Sequence, residues 1–141
     1  MDFGDLLKQF LIDLQRLFRS RVTDRTVTLP QILLISSIPD NGIDMTSLSQ
    51  RLGVDNSTLT RLVDVLLKRD WVYKTKNVKD RRISLLFLTT KGEEIQEEVE
   101  EKIDDLGLQV YRAIPPDDGD EVKEILSSFH WALSKMLLKS E

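Results

Sequence analysis

The spacing of apolar and polar positions divides the chain into six helical stretches and one hairpin. From Phe3 to Arg19, apolar residues fall at Phe3, Leu6, Leu7, Phe10, Leu14, Leu17 and Phe18, the three-four spacing of one helical face. Arg16, Arg19, Arg21 and Arg25 gather near its C-terminal end, where cations suit the helix dipole. Thr28-Leu29-Pro30-Gln31 predicts a second helix, with Thr28 as cap, Pro30 in the first turn and Gln31 in the capping-box position. The run to Ile38 is almost wholly apolar and should be buried; Pro39-Asp40-Asn41-Gly42 is a turn.

Ile43-Asp44-Met45 reads as a short strand. Thr46 is expected to cap a third helix through Leu52, with Leu48 and Leu52 inward and Gly53 ending it. Asp55 caps a fourth helix, Asn56 to Arg69, whose buried stripe is Leu59, Leu62, Val63 and Leu66. Gly53-Val54-Asp55 is the short turn of a helix-turn-helix. Trp71 to Lys76 and Ile83 to Leu88 read as two strands around the polar, basic tip Asn77 to Arg82. Thr90, with Glu93 three residues later, opens a fifth helix to about Ala113, with Ile95, Val99, Ile103, Leu106 and Val110 inward. Pro115-Pro116 breaks it, and the acids from Asp117 to Glu121 open a sixth helix. Its apolar face is Val122, Ile125, Leu126, Phe129, Leu133, Met136 and Leu137.

A helix-turn-helix followed directly by a two-stranded hairpin is a winged helix. The fold expected is mainly α with a small β-hairpin (α+β), one structural domain overall. Residues 28–89 form a winged helix-turn-helix core. It is flanked by an N-terminal dimerisation helix and linker, 1–27, and by a long helix with a C-terminal dimerisation helix, 90–141.

Composition narrows the chemistry. At 141 residues with 40% apolar and 31% charged positions, the chain can bury a core. It has no cysteine, which excludes disulfide scaffolds, thiolate metal sites and a cysteine nucleophile. His130 is its one histidine, too few for a histidine metal site or a Ser-His-Asp triad. Phosphate-loop glycines, metal-ligand spacing and a nucleophile–base pair are all missing, so neither an enzyme nor a cofactor is expected. Neither a targeting segment nor an apolar run long enough for a membrane span is visible, which predicts a cytoplasmic protein with no membrane partner.

A net charge of −4 argues against nucleic acid only until it is divided. From Arg51 to Arg82 there are nine bases and four acids, a net +5, which leaves −9 for the rest. The basic stretch coincides with the helix-turn-helix and the wing, as a DNA-facing surface requires; a solvated basic face is the plainer alternative. Glu93 to Asp105 holds eight acids and one base, Lys102, and reads as the solvated face of a helix directed away from phosphates.

The fourth helix is the candidate recognition helix. Asn56, Ser57, Thr58 and Thr60 bring short polar groups to its N-terminal half, and Ser57, Thr60, Arg61, Asp64 and Lys68 lie opposite the apolar stripe. Arg61 can fork to the O6 and N7 of a guanine. Against that, Ser57 and Thr58 can be plain capping residues and Arg61 a surface ion-pair partner. In the wing tip, Lys79, Asp80, Arg81 and Arg82 suit the strongly negative potential of a narrow minor groove, with Asp80 placed to direct the guanidinium of Arg82; a plain surface salt bridge between the two is the alternative.

The stretch Asp80-Arg81-Arg82-Ile83-Ser84-Leu85-Leu86-Phe87-Leu88-Thr89-Thr90-Lys91-Gly92 resembles the wing of MarR-type transcriptional regulators, with its Asp-x-Arg and its Leu-Thr-x-x-Gly. Thr28-Leu29-Pro30-Gln31 and the segment from Leu52 to Asp64 resemble that family's second-helix start and its turn and recognition helix. Asp70 and Trp71 depart from the Gly-Leu often seen there, and Lys74 from a common Arg. The resemblance implies a homodimeric regulator of double-stranded DNA, a repressor or an activator with repression the expected sense, its terminal helices intertwined. The fourth helix would lie in a major groove and the wing in the adjacent minor groove of a pseudo-palindromic operator, with Arg82 the minor-groove residue and Asp80 its anchor. Such regulators often respond to small amphipathic or aromatic ligands; oxidant sensing by cysteine is closed to this chain. The competing expectation is a winged helix that only binds protein.

Overall fold

The computed structural model describes residues 1–139. Six helices and three strands follow in the order α1 (Phe3–Arg21), α2 (Leu29–Ser36), β1 (Ile43–Asp44), α3 (Met45–Leu52), α4 (Asn56–Lys68), β2 (Val72–Lys76), β3 (Ser84–Leu88), α5 (Thr90–Ala113) and α6 (Gly119–Lys139). The chain divides into two compact units, Met1–Asp104 and the part from Asp105 onward, so the division falls inside α5.

The first unit holds most of the core. Ile32, Leu34 and Ile35 of α2, Leu48 of α3, Leu59, Val63 and Leu66 of α4 and Leu86 of β3 are fully buried, together with Val22. Their helices form where the capping chemistry says they should. Thr28 and Gln31 make the reciprocal capping box that opens α2. Gly53 takes the left-handed conformation (φ 67°) that closes α3, and Asp55 accepts from the Thr58 amide to open α4.

Two caps differ from expectation. Asp44, not Thr46, caps α3, accepting from both the amide and the hydroxyl of Ser47 at 2.7 Å. Thr46 lies inside the helix because the strand before it ends one residue earlier than the sequence suggests. At the start of α5 the hydroxyl of Thr89, not Thr90, accepts from the amide of Gly92.

The expected hairpin is part of a three-stranded antiparallel sheet in the order β1-β3-β2. Val72 pairs with Leu88 and Lys76 with Ser84, while Ile43 and Asp44 pair with Leu86 and Leu85 on the other edge of β3. Tyr73 stacks on its cross-strand neighbour Phe87, ring centroids 5.4 Å apart. The β3 strand of the wing is therefore paired on both edges, and β2 is an edge strand. Gln96 of α5 adds a long-range tie, its side-chain amide donating to the carbonyls of Ile35 and Ile38 around the C-terminal end of α2. Gly92 is required by close approach, since a Cβ there would stand 1.9 Å from the Trp71 carbonyl oxygen.

The terminal helices are built differently. Asp2 caps α1 and Arg19 and Arg21 close it, yet none of its residues is buried. In α6 only Gly119 is buried, packed under Tyr111, whose hydroxyl donates to Asp120 at 2.9 Å. Of the apolar positions expected inward, Val110, Ile125, Leu126, Leu133, Met136 and Leu137 are exposed in the single chain, as are Phe3, Leu7, Phe10 and Leu14. Among the described residues no helix is long and apolar enough to cross a membrane.

Candidate nucleic-acid interface

The helix-turn-helix fixes which side of α4 is free. With Leu59, Val63 and Leu66 buried and Leu62 half-buried, the helical period leaves Ser57, Thr60, Arg61, Asp64 and Lys68 exposed. Asn56, Ser57, Thr60 and Arg61 line one open depression at the N-terminal end of the helix. Lys68 stands at the opposite end, as the last residue of α4.

The capping alternative for the hydroxyls is resolved locally. The cap is Asp55, whose carboxyl is held below its ordinary range chiefly by the Thr58 amide. Ser57 is thus left exposed without a capping role. The Thr60 hydroxyl donates back to the Asn56 carbonyl at 2.8 Å and keeps its acceptor lone pairs outward. Arg61 is no partner in any of the ion pairs described; one guanidinium nitrogen lies 3.5 Å from the Thr58 hydroxyl, which leans the side chain towards the helix start.

The wing tip is built from two successive side-chain-capped turns. The side-chain oxygen of Asn77 accepts from the amides of Lys79 and Asp80 at 2.8 and 3.3 Å. Asp80 then accepts from the Arg82 amide at 3.1 Å and takes the Arg82 guanidinium in a two-pronged pair, Nε to Oδ1 and Nη2 to Oδ2, both 3.0 Å. The pairing lowers the Asp80 carboxyl and raises the Arg82 guanidinium from their ordinary values. Arg82 is nevertheless 90% exposed along its side chain, so its direction is set while its outer face stays free. Lys79, Arg81 and Val78 are exposed beside it.

The sequence-predicted residues thus form two groups, one on α4 and one on the wing. Asn77 was missed, although an Asn opening a polar turn is itself a signal. One base of the basic stretch is diverted: Arg69 is half-buried, donates to the Thr26 carbonyl and stacks over Trp71. Among the described residues no cluster of three His, Cys, Asp or Glu is placed to hold a metal ion.

Known proteins match this geometry. Residues 27–84 match the model of the MarR family. The transcriptional repressor MprA of Escherichia coli is 29% identical over 105 residues, covering 74% of this chain and 60% of MprA, so the chain spans about three fifths of that relative. Wild-type MarR of Escherichia coli in its apo form superposes with a TM-score of 0.81 at 26% identity, covering 92% of this chain and 96% of MarR. A MarR mutant complexed with operator DNA superposes with a TM-score of 0.72 at 26% identity, over 89% and 91% of the two chains. Fold, wing motif and matched segment agree that residues 27–84 form a winged helix-turn-helix module of the MarR type.

Proposed function

We propose that the protein is a homodimeric, sequence-specific transcriptional regulator of double-stranded DNA, acting in the repressing sense. The observation that carries this reading is the wing: an Arg82 aimed by a two-pronged Asp80 and left exposed, following a recognition helix whose outer face holds Ser57, Thr60 and Arg61. Asn56, Ser57, Thr58, Thr60 and Arg61 read the major groove, Lys68, Lys79 and Arg81 meet phosphates, and Arg82 enters the minor groove. The exposed apolar faces of α1 and α6 supply the dimer contact. Two-fold symmetry then sets half-sites about 10–10.5 bp apart. The likeness to a MarR protein solved on operator DNA supports the assignment. A small amphipathic or aromatic effector belongs to the same proposal through the family resemblance.

Selection of duplexes from a random library by the full chain, followed by affinity measurement over a salt series, tests this. A selected pseudo-palindrome bound with steep salt dependence is the expected result. Failure to bind any duplex at low salt would leave the protein-interaction reading in its place.

A further inference from the structure

We infer that Arg69 is a positioning residue for the recognition helix, tying the C-terminal end of α4 to the loop after α1 and, through Asp24, to α5. The inference rests on the regulator reading above.

Arg69 is the C-cap of α4, and its guanidinium turns away from the exposed face of that helix. One nitrogen donates to the Thr26 carbonyl, and the guanidinium carbon sits 4.8 Å from the ring centroid of Trp71, a side chain only 4% exposed. The Thr26 segment is itself fixed. Asp24 accepts from the Thr26 amide and hydroxyl, both at 2.7 Å, and from the Val27 amide at 3.0 Å. Its second oxygen takes the ammonium of Lys102 on α5 at 3.2 Å. These donors hold the Asp24 carboxyl well below the ordinary carboxylate range, the Thr26 hydroxyl contributing most.

On the other side, Thr89 donates its hydroxyl to the Asp70 carbonyl at 2.6 Å and its amide to the Trp71 carbonyl at 3.0 Å. The three residues after α4 are thus clamped between the α1–α2 loop and the start of α5. The N-terminal end of α4 is held by its local cap, Asp55, and by the buried Leu59 in the first turns.

Leu59, Val63 and Leu66 pack α4 against the core, and the tie at Arg69 sets the tilt of the helix at its C-terminal end. Arg61 lies roughly 12 Å along the axis from Arg69, so a tilt of about 5° at the anchor moves it by roughly 1 Å. That displacement breaks a bidentate base contact, whose donor distances span only a few tenths of an ångström. Phosphate contacts by flexible lysines absorb it. Losing the anchor should therefore cost sequence selectivity and leave non-specific binding intact.

The test uses the full chain and the duplex it selects from a random library, beside an unrelated duplex of equal length. Arg69→Met keeps an apolar stem and removes the guanidinium that donates to Thr26 and lies over Trp71; Asp24→Asn disturbs the far end of the tie. Each should weaken the selected duplex about tenfold, leave the unrelated duplex unchanged and preserve the salt slope. Arg69→Lys should restore most of the selectivity. The double variant should be no worse than either single one, because both break one tie. A salt slope lower by about 1 with equal weakening of both duplexes would make Arg69 a phosphate contact and overturn the inference; so would unchanged selectivity in both variants. If Arg69→Met does not fold, Asp24→Asn carries the same expectations. A wild-type chain that selects no duplex would remove the regulator reading and this inference together.

Discussion

Two kinds of helix share this chain. α4 has a buried side and a free side, and both are accounted for: Leu59, Val63 and Leu66 fill the core while Ser57, Thr60 and Arg61 face out. α1 has the same amphipathic spacing, but its apolar face is uncovered; Phe3 is 64% and Leu11 60% exposed. In α6, Trp131 is 63% and Met136 71% exposed. The difference teaches that an apolar stripe states a need for burial without naming what covers it. The central module satisfies its stripes internally. The terminal helices leave theirs exposed, and an exposed ridge of this kind marks an interaction surface.

The largest effect should come from the uncovered side. Ile125→Glu with Leu126→Glu should turn the proposed dimer into monomers in sedimentation velocity and weaken binding to a selected duplex on the order of 100-fold, as two linked half-sites become independent. An unchanged dimer would show that other surfaces hold it. In the covered region, Leu66→Ala should cost about 2–5 kcal/mol in urea unfolding, because a fully buried side chain leaves a cavity. Gly92→Ala should cost about 1–3 kcal/mol through the collision with the Trp71 carbonyl.

On the free side of α4, Arg61→Ala should lose roughly 1–3 kcal/mol on the selected duplex and relax preference at one base position in a repeated selection. Arg82→Ala should weaken binding with its major-groove preference intact. The Asp80 pair gives this a pH signature. A carboxyl whose folded value is depressed keeps its contribution above the ordinary carboxylate range and loses it as pH falls through the lowered value. The wing's share of binding should thus be flat from neutral pH down to that range and decline only below it, whereas Asp80→Asn should abolish the pH dependence. The smallest effect concerns Asp70, which takes the left-handed conformation at φ 61°. Asp70→Gly should be neutral or stabilising by up to about 1 kcal/mol in thermal unfolding, since glycine adopts that conformation without the Cβ clash.

Much of this architecture was legible in the sequence because local chemistry specifies it. The Thr28–Gln31 box, Gly53 and Asp55 placed three helix boundaries, and the period of α4 separated its two sides before any coordinates. The left-handed Asp70 also gives a physical reason for the glycine often seen at that position in the family. What escaped was non-local or ambiguous between neighbours. β1 is two residues long, too short for an alternation to announce its pairing with β3. Thr46 and Thr90 obey the capping rule as well as Asp44 and Thr89 do, and only the strand ends decide between them. A count of charges could not tell that Arg69 turns inward while Arg61 and Arg82 stay exposed.

The central claim, that α4 and the wing form one DNA-reading surface used in two-fold pairs, is tested most directly by chemical footprinting of the full chain on a duplex it selects. The account predicts two major-groove protections about 10–10.5 bp apart, each with an adjacent minor-groove protection that Arg82→Ala removes. A single unpaired protection, or minor-groove protection unchanged in Arg82→Ala, would contradict it.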